Sequence, residues 1–237
     1  MDLYGSLSVV IEMDPFEFLE KIAVLIDAPT PEYPKGGKRV EAIPKAQFAY
    51  SEMRAIGETL RRLPSPCSLH LANSSAVRYA QLFDFPPEVE VLSNRGTNGI
   101  EGSLSTALGY ATASDKLNFI VIGDLSFFYD QNALWNSNLR GNLRIILLNN
   151  RGGGIFRQLP GLSNSPAADD LVMASHENTA QGICTQNDIG YMSAKNMDEM
   201  QIGIVTLLTR ESERPMLLEV FTDSNDDVKA LEKYFKL

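Results

Sequence analysis

Two polar pairs bracket the stretch GDLSFFYDQNALWNSNLRGNLRIILLNN: Gly123-Asp124 opens it and Asn149-Asn150 closes it. Core packing does not explain either pair, because Asp and Asn are rarely buried without a task. Each follows an apolar run, NFIVI in the first case and RIILL in the second, so the spacing predicts two strands joined by a crossover helix. Ligands of an open parallel sheet lie beyond the carboxyl ends of its strands. If the two strands are neighbours, Asp124 and Asn150 offer two hard oxygens to one cation, and the RGGG turn that follows adds a backbone carbonyl. Such a donor set suits Mg²⁺, which is seldom caged by protein alone and commonly completes its shell with phosphate oxygens. The backbone N–H groups of Leu125–Phe127, opening a helix, and the hydroxyl of Ser126 would face the anion. Taken singly, an Asp after a strand reads as a helix cap and Asn-Asn-x-Gly as a turn. Joined at two strand ends, they read as a metal–diphosphate clamp.

The rest of the chain must position that clamp. Strand-like runs are SLHLA, VEVL, NFIVIG, LRIILLN and PMLLEVF; helix-like runs are SSAVRYAQLF, EGSLSTALGYATAS, LSFFYDQNALWNS, ENTAQGICTQN and MDEMQIGIVTLLTR. Their alternation, with near-continuous apolar strands such as Ile145–Leu148, predicts an α/β fold: a doubly wound, mostly parallel sheet with helices on both faces. Upstream, KAQFAYSEMRAIGETLRRL is an amphipathic helix with Phe48, Met53, Ile56 and Leu60 near helical spacing. Before it, APTPEYPKGGKR (28–39) has a linker's composition, and LSVVIEMDPFEFLEKIAVLID reads as a short strand and a helix capped by Asp14, with Pro15 in its first turn. The expected division is 1–44, the tail of a preceding domain plus linker, and 45–237, the domain that holds the clamp. RQLPGLSNSPAADDLVMAS (157–175) has no period and is expected to be a loop over one edge.

The net charge of −9 argues against nucleic acid or an acidic membrane as partner, so any anion must be captured locally. No apolar run approaches the ~18 residues of a membrane span, and the N-terminus lacks the basic start and cleavage site of a secretory signal. With two cysteines, Cys67 and Cys184, a disulfide framework is excluded; both read as buried side chains in a cytoplasmic protein. Only His70 and His176 are present, far apart in sequence, which argues against a histidine metal site or triad. Asp169-Asp170 and the run at Asp223–Asp227 read as capping and solvated acids, and Trp135 as packing the crossover helix against the sheet. GTNGIEG lacks the glycine order of a dinucleotide fingerprint.

Gly-Asp, this gap and Asn-Asn together resemble the fingerprint of thiamine-diphosphate (ThDP) enzymes, with Leu125 where the wider superfamily has Gly. Together with NNRGGGIF and the upstream SNRGTNGIEGSLSTALG, the pattern is similar to one branch, the MenD family of menaquinone-pathway synthases. The resemblance runs from about Lys45 to the C-terminus. It implies that Asp124, the Asn150 side chain and the Gly152 carbonyl hold Mg²⁺, with Mn²⁺ as an alternative. It further implies that Ile100, Gly123, Leu125, Ser126, Ile155 and Phe156 bound the ThDP site. Ser74 and Arg78 of NSSAVR match positions that engage the carboxylate of 2-oxoglutarate, and Arg95 of SNRG an arginine placed for isochorismate. Arginine makes bidentate, charge-assisted contacts with carboxylates, and Ser74 and Arg78 would share a face if both were helical. The family's activating glutamate belongs to an N-terminal pyrimidine-binding domain, for which residues 1–44 are too short. No catalytic residue is therefore expected in this chain, which should be inactive alone, whereas the intact enzyme should form homo-oligomers. Another ThDP-dependent carboligase or decarboxylase, or a non-catalytic ThDP-binding module, remains an alternative reading.

Overall fold

The computed structural model describes residues 8–25, 48–158, 161 and 165–235; the expected linker at 28–39 lies outside them. The chain divides into two units, Met1–Glu41 and Ala42–Leu237. In the first, Asp14 Oδ1 accepts from the backbone N–H of Phe16 at 2.9 Å and of Glu17 at 3.3 Å, and helix α1 (Pro15–Leu25) follows with no buried residue. The strand expected before it is not found: residues 8–13 form none, since an extended segment without a paired neighbour has no ladder to hold it.

The second unit opens with α2 (Glu52–Leu60), capped by Ser51, whose side chain accepts from the N–H of Arg54. Phe48 therefore precedes the helix, while Met53, Ile56 and Leu60 are buried on it. Then come β1 (Cys67–Leu71), α3 (Ser75–Ala80), β2 (Val89–Ser93), α4 (Ser103–Thr112), β3 (Asn118–Gly123), α5 (Asp124–Tyr129) and β4 (Leu143–Asn149). The chain continues through α6 (Gln181–Gln186), β5 (Gly190–Ala194), α7 (Met197–Thr209), β6 (Met216–Phe221) and α8 (Ser224–Phe235). The six strands form one parallel sheet in the order β2-β1-β3-β4-β6-β5.

That order fixes the layers. From β1 the chain moves to one side to make β2, then returns past β1 to make β3 and β4 on the other. Right-handed crossovers then put α3 and α7 on one face and α4, α5 and α6 on the other. Accordingly α2 packs on α3, α7 and α8, and α4 packs on α5. β1 and β4 are buried along their whole length, and β3 and β6 are buried except for their last residue, as strands covered on both faces should be. The winding direction reverses between β1 and β3, which is where such sheets bind ligands.

Three expectations are corrected. The crossover LSFFYDQNALWNS is no single helix: α5 ends at Tyr129 and a 3₁₀ turn follows at Gln131–Leu134. Phe127 and Leu134 fill the core below, leaving Trp135 outside at 73% exposure. Within the acidic run, Asp223 caps the start of α8, but Asp227 is buried. Cys67 and Cys184 are buried as expected, and burial pushes their thiols up to about 11 and about 12. No helix among the described residues is long and apolar enough to cross a membrane.

His70, on β1, is buried against the Tyr110 ring at 5.0 Å between centroids. Burial lowers its pKa from 6.5 to about 4, against a smaller opposing pull from Glu90. A base favoured neutral in the folded state leaves stability intact above pH 6.5 and removes it as pH falls from 6.5 toward about 4. The full loss is about 3 kcal/mol at most. Urea unfolding at pH 7 and pH 4.5 should therefore show a smaller acid loss for His70→Phe than for the wild type; equal losses would refute the assignment.

Candidate metal and diphosphate site

β3 and β4 are direct neighbours, with Gly123 in register with Leu148, so Asp124 and Asn150 leave the sheet side by side. Asp124 is 3% exposed. Its Oδ1 accepts the N–H of Leu125 at 2.6 Å and its Oδ2 the N–H of Gly152 at 2.9 Å. The carboxylate thus ties the two strand ends together and still has lone pairs for a cation. Leu125's N–H is thereby committed to Asp124 rather than free for an anion. The Ser126 hydroxyl is also committed, donating to the Ile100 carbonyl and so joining the upstream glycine-rich loop to the start of α5.

The turn after Asn150 depends on its glycines at two points. Gly152 has φ +149, and a Cβ there would stand 2.6 Å from the Met173 carbonyl oxygen. A Cβ on Gly154 would come within 2.6 Å of Asn150 Nδ2, so that glycine leaves the Asn150 side chain its place. Between the ends of β1, β3 and β4 lies a cavity of about 130 Å³. Ser74, Ile100, Gly123, Asp124, Leu125, Ser126, Asn150, Gly152, Ile155 and Phe156 line it, ten of the twelve residues singled out from sequence. A larger cavity of about 530 Å³ lies on the other side of the turn, sharing Asn150 and Gly152–Gly154. We take the smaller as the centre, because it contains Asp124 and the ends of all three strands.

Arg78 and Arg95, the other two, are exposed and outside the lining. Ser74 precedes α3 rather than belonging to it, with φ 72 and ψ −132, so Ser74 and Arg78 do not share a helix face. A non-glycine residue held there costs about 1–3 kcal/mol, and such strain clusters at functional positions. Asn73, which sequence reasoning overlooked, supports it. Asn73 Oδ1 accepts the N–H of Ser74 at 2.9 Å and Arg95 Nη1 at 3.2 Å, and its Nδ2 donates to the Gly99 carbonyl at 2.8 Å. Arg95 is thereby tethered to the cavity rim.

No protein-family model matches the chain. Over 237 residues it is 54% identical to the 2-succinyl-5-enolpyruvyl-6-hydroxy-3-cyclohexene-1-carboxylate synthase of Bacteroides thetaiotaomicron, covering 99% of this chain and 43% of that protein. The chain belongs to this synthase family. The synthase of the same name from Phocaeicola vulgatus is 54% identical over 236 residues, covering 99% of this chain and 42% of its own. That of Flavobacterium johnsoniae is 37% identical over 242 residues, with 99% and 44% covered. The chain thus spans less than half the length of these synthases.

Three further residues of this family member flank the clamp. His176, set aside from sequence, stands with Nε2 3.2 Å from Asp124 Oδ2 without a hydrogen bond between them. Its Nδ1 accepts the N–H of Asn178 at 3.1 Å and its ring meets Phe128 edge-on. Glu52 and Asp227 are the other two, both 3% exposed. Burial, then Asp227 and Asp124, raises Glu52 well above the usual carboxylate range, and burial brings Asp227 to about 6 despite hydrogen bonds that favour its charge. No sequence signal marks any of these three. Among the described residues no three His, Cys, Asp or Glu side chains cluster as a ready metal site. A clamp of one carboxylate, one carboxamide and one carbonyl would not form such a cluster. The residues fit a hard divalent cation: Asp124, Asn150 and Gly152 bring oxygen donors to one cavity, with Glu52 also on its wall.

Proposed function

We propose that this chain is the ThDP- and Mg²⁺-holding part of a cytoplasmic synthase that decarboxylates 2-oxoglutarate and joins the four-carbon remainder to isochorismate in menaquinone biosynthesis. The observation that carries the reading is the gathering of ten sequence-selected residues around one cavity at the switch point. Asp124, Asn150 and the Gly152 carbonyl would hold the cation, with Mn²⁺ as a substitute. About 130 Å³ is below the ~300–1,000 Å³ of a whole-ligand pocket, and suits the diphosphate end of a larger molecule. Bound ThDP would supply the electron sink for decarboxylation.

The chain's own part is to bind and orient. Asp124 and Asn150 would hold one cation at the ends of two strands, and that cation would supply the charge that binds a diphosphate. Ile100, Ile155 and Phe156 would add apolar side chains to a wall that otherwise carries polar groups. Ser74 is placed by the Asn73 hydrogen bond to offer its hydroxyl to a substrate carboxylate, and Arg95 stands at the rim to pair with the other. Arg78, exposed and away from the lining, would reach a carboxylate only as α3 meets ligand. Turnover would require the glutamate-bearing pyrimidine-binding domain, and the intact enzyme would be a homo-oligomer.

The test is calorimetric titration of ThDP into the 237-residue chain, with Mg²⁺ and again with EDTA. Saturable binding only with the metal is expected, and no synthase turnover by the chain alone. Binding that is indifferent to EDTA would overturn the clamp.

A further inference from the structure

Behind Asn150 stands a pair of acids to which the cofactor reading assigns nothing. Asp227 accepts the backbone N–H of Glu52 at 2.7 Å through Oδ1 and the Thr222 hydroxyl at 2.8 Å through Oδ2. The Asn150 side chain also donates to it. An amide that gives its N–H to one carboxylate leaves its oxygen for another partner, so Asp227 orients Asn150 in the way outer groups orient metal ligands. Glu52 is different. It lines the same cavity as Asp124 and Asn150, and its Oε2 is buried with no hydrogen-bond partner among the described residues.

A buried polar atom left unpaired costs about 1–3 kcal/mol. Its position is nevertheless rigid, because Glu52 opens α2 and its backbone is pinned to Asp227. A Met of similar length would line the wall without that cost. Buried and unpaired beside Asp124 and Asp227, the Glu52 oxygen would welcome a hydrogen-bond donor. Mg²⁺ usually keeps several waters when it binds a protein and a phosphate, and those waters are donors.

We propose that Glu52 contacts what this cavity takes up, its Oε2 accepting a hydrogen bond from a water carried by the hydrated divalent cation. This rests on the clamp reading and deepens it. Loss of such an outer contact costs roughly 10–100-fold in metal affinity.

The experiment titrates Mg²⁺–ThDP into wild type, Glu52→Met, Glu52→Gln and Asp124→Ala chains, and melts each protein without ligand. Glu52→Met is expected to bind about 10–100-fold more weakly while its ligand-free melting temperature stays level or rises. Glu52→Gln, which retains an acceptor, is expected to bind close to wild type. If Glu52→Met binds like the wild type while Asp124→Ala has lost binding, this proposal falls and the clamp stands. If Asp124→Ala binds like the wild type, or the wild type does not bind, both fall. Affinity and melting temperature dropping together in Glu52→Met would mean a packing role and also overturn the proposal.

Discussion

Asp124→Ala abolishes metal-dependent ThDP binding, with an affinity loss above the ~100-fold upper end for outer contacts, and does so without unfolding the protein. Two consequences of one substitution add up in binding. The cation loses its only carboxylate ligand in the proposed set, and the N–H of Gly152 loses the acceptor at 2.9 Å that holds the turn against β3. In stability they oppose one another. Stranding the Gly152 and Leu125 N–H groups costs about 1–3 kcal/mol each where water cannot reach them. Against this, removing Asp124 relieves its repulsion of Glu52, one of the causes of that acid's raised pKa. Calorimetry and a thermal melt on the same sample separate the two effects. Binding of Asp124→Ala within threefold of wild type, still requiring metal, would place the cation elsewhere, with the larger cavity around Arg157 and His176 the next to examine.

The sequence made this half of the site legible because its logic is local. An apolar run that stops at Asp124 and another that stops at Asn150 can be read without knowing the fold, since strand burial and metal chemistry demand different residue types. The sheet's buried strands were legible for the same reason. β5 was not: in GYMSA only Ala194 is buried, Ser193 is exposed and the other three are half-buried, so it carries no continuous apolar signal. α8 begins among acids, which hides the amphipathic helix behind them. Glu52, Asp227 and His176 were illegible for a stronger reason. Glu52 and Asp227 are 175 residues apart, and nothing in either neighbourhood says that both will be buried. An acid in the first turn of a helix is ordinarily a solvated partner of the helix dipole. Here the same position faces a cavity, because α2 packs against both α7 and α8. Trp135 failed in the opposite direction: its size suggested burial, and the 3₁₀ turn rotates it outward.

Glu219→Leu is expected to be more destabilising than any other substitution named above, although Glu219 lines neither of the two cavities beside the clamp. It lies on β6 with no exposed surface, in a strand whose apolar run concealed it. Four hydrogen bonds converge on its carboxyl: Asn149 Nδ2 at 2.7 Å, the Ala180 N–H at 3.2 and 3.1 Å, and the Tyr191 hydroxyl at 2.7 Å. Leucine would take the acceptor from all three donor groups, of which the Asn149 amide keeps the Asn178 carbonyl. Each group left without a partner where water cannot reach it costs about 1–3 kcal/mol, against the ~5–15 kcal/mol that holds a whole domain. Glutamine keeps one acceptor but turns an amide donor toward donors, so about half that loss is expected; Tyr191→Phe, which removes one bond, should cost about 1 kcal/mol. The effect also reaches the clamp. Asn149 accepts the N–H of Arg151 at 3.1 Å and donates to the Asn178 carbonyl at 3.0 Å, so Glu219 holds both the turn after Asn150 and the segment that carries His176. Urea unfolding of the three variants, with Mg²⁺–ThDP titration of Glu219→Gln and Tyr191→Phe, distinguishes support from mere stability. If Glu219→Gln folds and binds normally, the turn is held by sheet register and the Thr222 N–H bond to the Asn149 carbonyl at 3.0 Å. If it folds but binds weakly, the buried carboxylate is what lets two asparagines in sequence do different work, Asn149 anchored inward so that Asn150 can face the cation.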